Sequence, residues 1–412
     1  MRQRRSLTHV GGEVDSAGNR QVAALLATAL DVAPPQSQPG GEATGDEPDR
    51  AHVHGFHTYP ARLHPVTAAR LVRSLSAEGA TVLDPFCGSG TVLVEAAIAG
   101  RRGVGTDLNP LAVKLATLKT TPLDDETRAA LVAAARSVAA MADERRSRRA
   151  GATRRYPPED VELFSPHVLL ELDSLRAGIA DQGVPELRDP LLLILSSILV
   201  KVSRRASDTS GLASDRRIAA GFPARLFVRK TEELVRRLAE LAALVPPGTP
   251  AARVTLDDAT RLRTVGASTI DAVITSPPYV ATYDYVAQHA ARLRWLGLDA
   301  KAFAAGEIGA RRRYMKLDPA EAVKTWGREL GAALRAMSRV CRRGARVALV
   351  VADSAIRGAV LRADEQVAAV APASGLSFVA RASQRRPHFH GPTAGAFDAA
   401  PRAEHVIVLE KR

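Results

Sequence analysis

Strand and helix signals alternate at both ends of this chain, which predicts an α/β fold on a mainly parallel sheet with a mostly helical insertion between the two parts. Three features of the sequence support this. A short β-branched strand, Thr81-Val82-Leu83-Asp84, runs into a glycine-rich turn. A strand–helix–strand–helix pattern then continues to about residue 121. After a long stretch of helical periods with few strand signals, the alternation resumes at Arg253.

Residues 1–50 are polar and rich in Gly, Pro, Asp and Gln, and Pro34 to Arg50 has almost no apolar content. This segment is expected to be a disordered or loosely attached tail, within which the pattern admits a helix around Gln21 to Leu30. Pro65 to Leu75 reads as a helix, Thr91 to Ala99 as an apolar helix after the glycine turn, and Gly103 to Asp107 as a second strand ending in a carboxylate. Asn109 and Pro110 have the chemistry of an N-cap and a first helical residue. Residues 122–248 form the expected insertion. It contains a cluster at Arg145, Arg146, Arg148, Arg149, Arg154 and Arg155, and a second at Lys201, Arg204 and Arg205. Further strands are expected at Arg253 to Leu256, Asp271 to Thr275 and Ala345 to Val351, with a long helix over Trp326 to Val340. Leu376 to Ala380 and His405 to Glu410 read as the last two strands, in the antiparallel sense.

The 412 residues carry 57 Lys and Arg against 44 Asp and Glu, a net charge of +13. That excess favours a polyanionic partner, nucleic acid being the commonest, and is equally what solvated arginines would give. Two cysteines, Cys87 and Cys341, exclude a disulfide framework and a four-thiolate zinc site. The basic start, Met1 to Arg5, is followed by no apolar stretch, so no signal peptide is expected. Leu191 to Val200, the longest apolar stretch, is too short to span a bilayer. A soluble, cytoplasmic protein with no membrane partner is expected.

Two motifs carry chemistry. In Asp84-Pro85-Phe86-Cys87-Gly88-Ser89-Gly90-Thr91, the glycines let backbone amides approach a ligand and the next helix aims its positive end at the same place. It is neither a phosphate-binding loop ending in Lys-Ser/Thr nor a Gly-x-Gly-x-x-Gly turn, because Leu93 stands at the third glycine position. Asp107, about twenty residues on, suits either the two hydroxyls of a ribose or a helix cap. Asp258 suits an adenine amino group or a solvated loop, and Asp257 competes with it. In Thr275-Ser276-Pro277-Pro278-Tyr279, two prolines fix φ and remove two N–H donors. The Ser276 hydroxyl and the Pro277 carbonyl can then both accept hydrogens from a planar amine, and Tyr279 offers a ring for stacking. Tyr283, Asp284 and Tyr285 follow closely enough to line the same pocket. His52, His54, His57 and His64 cluster early, but no cysteine or nearby acid completes a ligand set in sequence, so no metal is expected.

Together these residues resemble a known family. The motif containing Asp84, Phe86, Gly88, Gly90 and Thr91 is similar to the S-adenosylmethionine (SAM) motif of amino-group DNA methyltransferases. Ser276-Pro277-Pro278-Tyr279 looks like their catalytic motif. His57-Thr58-Tyr59-Pro60-Ala61-Arg62-Leu63-His64-Pro65 resembles the segment that closes over the methionine part of SAM, and Glu404 to Leu409 looks like the closing strand. The resemblance implies a class I SAM-dependent methyltransferase, a Rossmann-like fold with a mixed seven-stranded sheet, formed by residues 51–121 and 249–412. The insertion would be the target-recognition region. It further implies that SAM is held by Tyr59, Asp84, Phe86, Gly88, Gly90, Thr91, Asp107 and Asp258, while Ser276, Pro277, Pro278 and Tyr279 handle a flipped base. Ser at the head of the catalytic motif implies N4-cytosine in DNA, alone or with a restriction or defence-system component. N6-adenine methylation, an RNA guanine-N2 enzyme and an inactive nucleic-acid scaffold are the competing expectations.

Overall fold

The computed structural model describes residues 12–32, 49–205, 217–386 and 395–412. The chain enters with strand β1 (Val14–Gly18) and helix α1 (Arg20–Leu30), and after a 3-10 turn at His52–Gly55 comes helix α2 (Pro65–Leu75). The alternation follows as β2 (Thr81–Asp84), α3 (Thr91–Ile98), β3 (Arg102–Asp107) and α4 (Pro110–Thr120). The middle of the chain is α5 (Asp125–Ser147), α6 (Pro158–Leu163), α7 (Pro166–Ala180), α8 (Pro185–Leu199) and α9 (Phe222–Leu244). Then come β4 (Arg253–Leu256), β5 (Ile270–Thr275), α10 (Tyr285–Leu296), α11 (Lys301–Gly306), α12 (Arg311–Tyr314) and α13 (Pro319–Val340). Strand β6 (Cys341–Ala352), a small hairpin of β7 (Ser354–Ile356) and β8 (Ala359–Leu361), α14 (Ala363–Val370), β9 (Leu376–Arg385) and β10 (Ala403–Lys411) complete it. Asn109 caps α4 as its sequence suggests: its Oδ1 accepts from the Leu111 amide at 3.0 Å, with Pro110 opening the helix.

The sheet runs β1-β9-β10-β6-β5-β2-β3-β4. The five strands from β6 to β4 are mutually parallel, and β10 is antiparallel to both of its neighbours. This is the expected mixed sheet of a class I methyltransferase with a correction: it has eight strands, not seven. The extra strand, β1, comes from the segment expected as a loose tail. It pairs antiparallel with β9 from Val14 opposite Gln384 to Gly18 opposite Ala380. Its sequence, Val-Asp-Ser-Ala-Gly, has no apolar alternation, because an edge strand can be held by backbone pairing alone. The helix after it does show its purpose, since Leu26 and Leu30 of α1 are buried against the sheet with Ala380 and Val406. Residues 1–11 and 33–48 of that expected tail lie outside the described residues.

One sheet face is covered by α13 and α14, with Trp326, Leu330, Met337 and Val367 in its core. The other is covered by α1, α2 and α3, with Leu71, Val72 and Val92. The helices of residues 122–248 are not a separate globule. Leu131, Leu172, Ile194 and Phe227 share one apolar cluster with Val94 of α3, Leu115 of α4 and Trp295 of α10. Among the described residues, no helix is long and apolar enough to cross a membrane.

Candidate active site

Strand order reverses between β2 and β5, whose crossovers lead away in opposite directions along the sheet. In an open α/β sheet a crevice forms outside the carboxyl ends of the strands at such a switch point, and ligands bind there. The two motifs follow these two strands directly, so the topology brings them together. An open cleft lies there. Gly88, Ser276 and Pro278 all line it.

The two loops are joined by a buried hydrogen bond. The Thr275 hydroxyl donates to Asp84 Oδ1 at 2.6 Å across 191 positions of sequence, and both residues are buried. Asp84 also accepts from the Phe86 amide at 3.1 Å, which tightens the turn. Burial pushes the Asp84 carboxyl up to about 7, the nearby Asp107 charge adding to the shift while the two hydrogen bonds oppose it. Asp107 Oδ2 accepts from the Gly88 amide at 2.9 Å and Oδ1 from the Asn109 amide at 2.8 Å. Burial raises Asp107 to about 6 against those bonds. The cap and the ligand-facing roles weighed for Asp107 are therefore compatible: one residue holds the turn and still lines the cleft.

Tyr59, Asp84, Phe86, Gly88, Thr91, Asp107 and Asp258 all line the cleft. Gly88 has φ +49°, and a Cβ there would meet the Tyr59 ring at 3.2 Å, so glycine is required for that approach. Tyr59 accepts from Asn109 Nδ2 at 3.2 Å through its hydroxyl and stacks on His289 with ring centres 4.8 Å apart. Asp258 lines the wall, whereas Asp257 accepts from the Thr264 amide and hydroxyl, both at 2.7 Å. Both carboxylates anchor the loop, Asp258 Oδ1 accepting from the Thr260 amide and hydroxyl at 2.9 and 2.7 Å, and of the two Asp258 lines the cleft.

Three expected site residues lie elsewhere. Gly90 is not in the cleft wall; at φ +86° it turns the chain into α3, and a Cβ would meet the Ala116 backbone at 3.0 Å. Its glycine is needed for helix packing. Pro277 is buried behind the wall, with Ser276 and Pro278 exposed to the cleft on either side. Tyr279 also lies outside the wall. Its hydroxyl donates to Glu404 Oε1 at 3.0 Å, and Arg386 holds the other oxygen of Glu404 at 3.1 Å. Of the residues that follow, Tyr285 lines the cleft, Tyr283 packs against it with ring centres 5.4 Å apart, and Asp284 receives the Arg312 amide at 2.8 Å.

Phe303 and Glu307 also line the cleft and were not visible in sequence. Glu307 is buried and accepts from the Tyr285 amide at 2.6 Å, with Arg312 on its other oxygen. Neither residue belongs to a motif. The histidines need a correction: α3 supplies the acid absent from their sequence neighbourhood, with His54 Nε2 2.8 Å from Glu95 Oε1. His57 bonds Ser196 Oγ at 3.0 Å, and His64 Nδ1 caps α2 by accepting from the Val66 amide at 3.2 Å.

Fold and cleft define an α/β protein with an open cleft at its sheet switch point. Residues 33–118 match a family model described as DNA methylase. Over 75 residues the chain is 40% identical to the type II methyltransferase M.MvaI of Kocuria varians, covering 18% of this chain and 16% of that protein. Over 68 residues it is 34% identical to the type II methyltransferase M.MjaII of Methanocaldococcus jannaschii, covering 16% and 13%. These matches support the amino-methyltransferase family over the segment with the glycine turn, and the aligned part is under a fifth of either relative. Solved structures overlap loosely: TrmN from Thermus thermophilus at 15% identity and TM-score 0.31, over 85% of this chain and 49% of that one. A SAM-dependent methyltransferase from Methanosarcina mazei gives 10% and 0.32, over 86% and 98%.

Proposed function

We propose that the protein is a SAM-dependent DNA methyltransferase acting on an exocyclic base amine, N4 of cytosine in particular. The observation that carries this is the shared cleft: Ser276 and Pro278 face the same space as Gly88, Asp107 and Asp258, and the Thr275–Asp84 bond fixes the two loops to each other.

The residues present fit SAM. Asp107 and Asp258 offer carboxylate oxygens to ribose hydroxyls and an adenine amine. Phe86 gives an apolar wall, and the short approach at Gly88 leaves room beside Tyr59. The Ser89 hydroxyl lines the cleft, buried and without a partner among the described residues, at the N-terminal turn of α3. A hydroxyl donor at a helix N-terminus suits the carboxylate of an amino acid. Bound SAM supplies an electrophilic methyl group. The chain's part is to orient the amine: the Ser276 hydroxyl in the cleft wall accepts one hydrogen, and the carbonyl of Pro277, whose ring packs behind the wall but whose peptide runs into the wall residue Pro278, would accept the other, which draws the lone pair out of conjugation with the ring. The two prolines offer no competing N–H. Positioning and electrostatics of this kind need no strong base before attack. Tyr279, anchored to Glu404, stiffens the loop, and Tyr285 is the aromatic wall nearest to hand for a flipped base.

Cytosine is favoured over adenine by Ser276 at the head of the motif. The test is to digest DNA from cells expressing the protein to nucleosides and measure both products by mass spectrometry. N4-methylcytosine, absent with a Ser276→Ala variant, is expected. N6-methyladenine alone would reassign the base, and neither product would overturn the proposal.

A further inference from the structure

The 3-10 turn His52–Gly55 packs beside α3, outside the cleft. His52, His54 and Glu95 each offer one ligand atom there, and these atoms lie within 4.8 Å of one another. His54 is 1% exposed, and its Nε2 meets Glu95 Oε1 at 2.8 Å. The Nδ1 atoms of His52 and His54 are both buried and have no hydrogen-bond partner among the described residues. A buried imidazole nitrogen without a partner is destabilising, and two side by side are harder to explain as packing. The rings are tilted, 48° apart with centres at 4.7 Å, rather than stacked. His52 also has φ +36°, a left-handed conformation that costs a non-glycine residue on the order of 1–3 kcal/mol. Arg237 holds it there, donating to the carbonyls of Arg50 at 2.6 Å and His52 at 2.7 Å. Strain and unsatisfied nitrogens at one point are the pattern of a site built for a ligand that takes lone pairs.

We propose that His52, His54 and Glu95 bind a zinc ion that fastens the segment 49–65 to helix α3. Two imidazoles and a carboxylate are a zinc donor set, with water as the fourth ligand. The ion has a structural place: the same segment carries Tyr59 and Arg62 into the cleft wall, and Arg62 donates to the carbonyls of Asp49 and His54. Helix α3 begins directly on the glycine turn. The zinc thereby ties the two walls of the cofactor end of the cleft without touching the cleft itself.

This site stands apart from the methyl-transfer proposal, and its test reads metal rather than methylation. The untagged full chain, purified without chelator, is analysed for metal by mass spectrometry. After chelation it is titrated with zinc chloride while its melting temperature is followed. About one zinc per chain is expected, with a rise of about 3 °C or more at about a hundredfold the dissociation constant. His52→Ala and Glu95→Gln, each checked for folding by circular dichroism, should retain less than about a tenth of the zinc and lose the thermal response. His52→Ala removes a ring whose Nδ1 has no protein partner, so a folded variant is expected even if Glu95→Gln is unstable. A wild-type protein with no zinc and no thermal response would overturn the proposal. So would variants that keep the wild-type zinc content.

Discussion

The cleft and the helical insertion place their polar side chains in opposite ways. At the cleft the partners come from far apart in sequence and are shielded from water: Thr275 and Asp84 are 191 positions apart, Tyr279 and Glu404 are 125. In the insertion several exposed charges are paired along single helices, although Arg136 meets Glu232 of α9 and Asp160 meets Arg294 of α10. Arg146 meets Asp143, Arg148 meets Glu144 and Arg236 meets Glu240, each within about one turn. Exposed pairs of this kind contribute little. The insertion's buried acids hold backbone: Glu171 accepts the Gly221 and Ala224 amides at 2.9 Å at the start of α9, and Asp173 takes Thr153 and Tyr156. Density of charge therefore does not locate the chemistry. Buried carboxylates joined across the sheet do.

The largest effect that would break this contrast is on turnover. Ser276→Ala is expected to lower methyl incorporation by about a hundredfold or more while changing SAM affinity by less than about threefold. Asp107→Ala should instead weaken SAM by at least about tenfold, because it removes both a ligand acceptor and the clamp on Gly88. Radiolabelled methyl transfer and calorimetric SAM binding, run on both variants, separate the two roles; equal losses of SAM affinity would end the division. Next in size is stability. Thr275→Val leaves Asp84 short of a buried donor and should cost about 1–3 kcal/mol in urea unfolding. Arg236→Ala in the insertion should stay within about 0.5 kcal/mol.

Asp84 also gives a pH signature. Its folded pKa of about 7 lies above the ordinary 3.8, so the folded state holds the proton more tightly than the unfolded chain does. That contribution is complete below the ordinary value and is lost as pH rises toward 7. An Asp84→Asn variant removes it. Relative to wild type, the variant should gain stability as pH rises through that window, on the order of 4 kcal/mol in total. Chemical denaturation at several pH values checks it, and a constant difference would show that folding does not raise the Asp84 pKa.

What was legible in the sequence follows from the same contrast. Strands β2 and β5 could be read as short apolar, β-branched runs that end at a turn motif, and β3 and β4 from their place in the strand–helix alternation; residues 81–84 and 253–256 have the bounds the pattern gave. The glycine turn and Ser276 could be read because backbone geometry limits which residues fit there. Strand β1 could not, since its pairing with β9 uses backbone and leaves Asp15 and Ser16 polar. Gly90 looked like a cofactor glycine because the same residue type serves a ligand approach and a helix approach, and only the Ala116 contact tells them apart. Glu307 and Glu95 had no local signal: each becomes significant through a partner on another element, Tyr285 in one case and His54 in the other.

The smallest expected effect concerns the basic clusters. If the protein binds DNA, log affinity should fall steeply with log salt, with a slope of roughly 0.9 per phosphate contact. Arg145 is engaged by Ser174 and the Gly151 carbonyl, Arg146 and Arg148 by acids of their own helix, and Arg154 lies over Tyr156 and Trp295. The cluster therefore presents less free positive charge than its sequence suggests. The double variant Arg146→Ala and Arg148→Ala should change the salt slope by less than about one, measured by fluorescence anisotropy on a duplex. A drop of about two would mean that both guanidiniums exchange their carboxylates for phosphates on binding. In that case the helical insertion, rather than the cleft rim, would be the surface that carries the duplex.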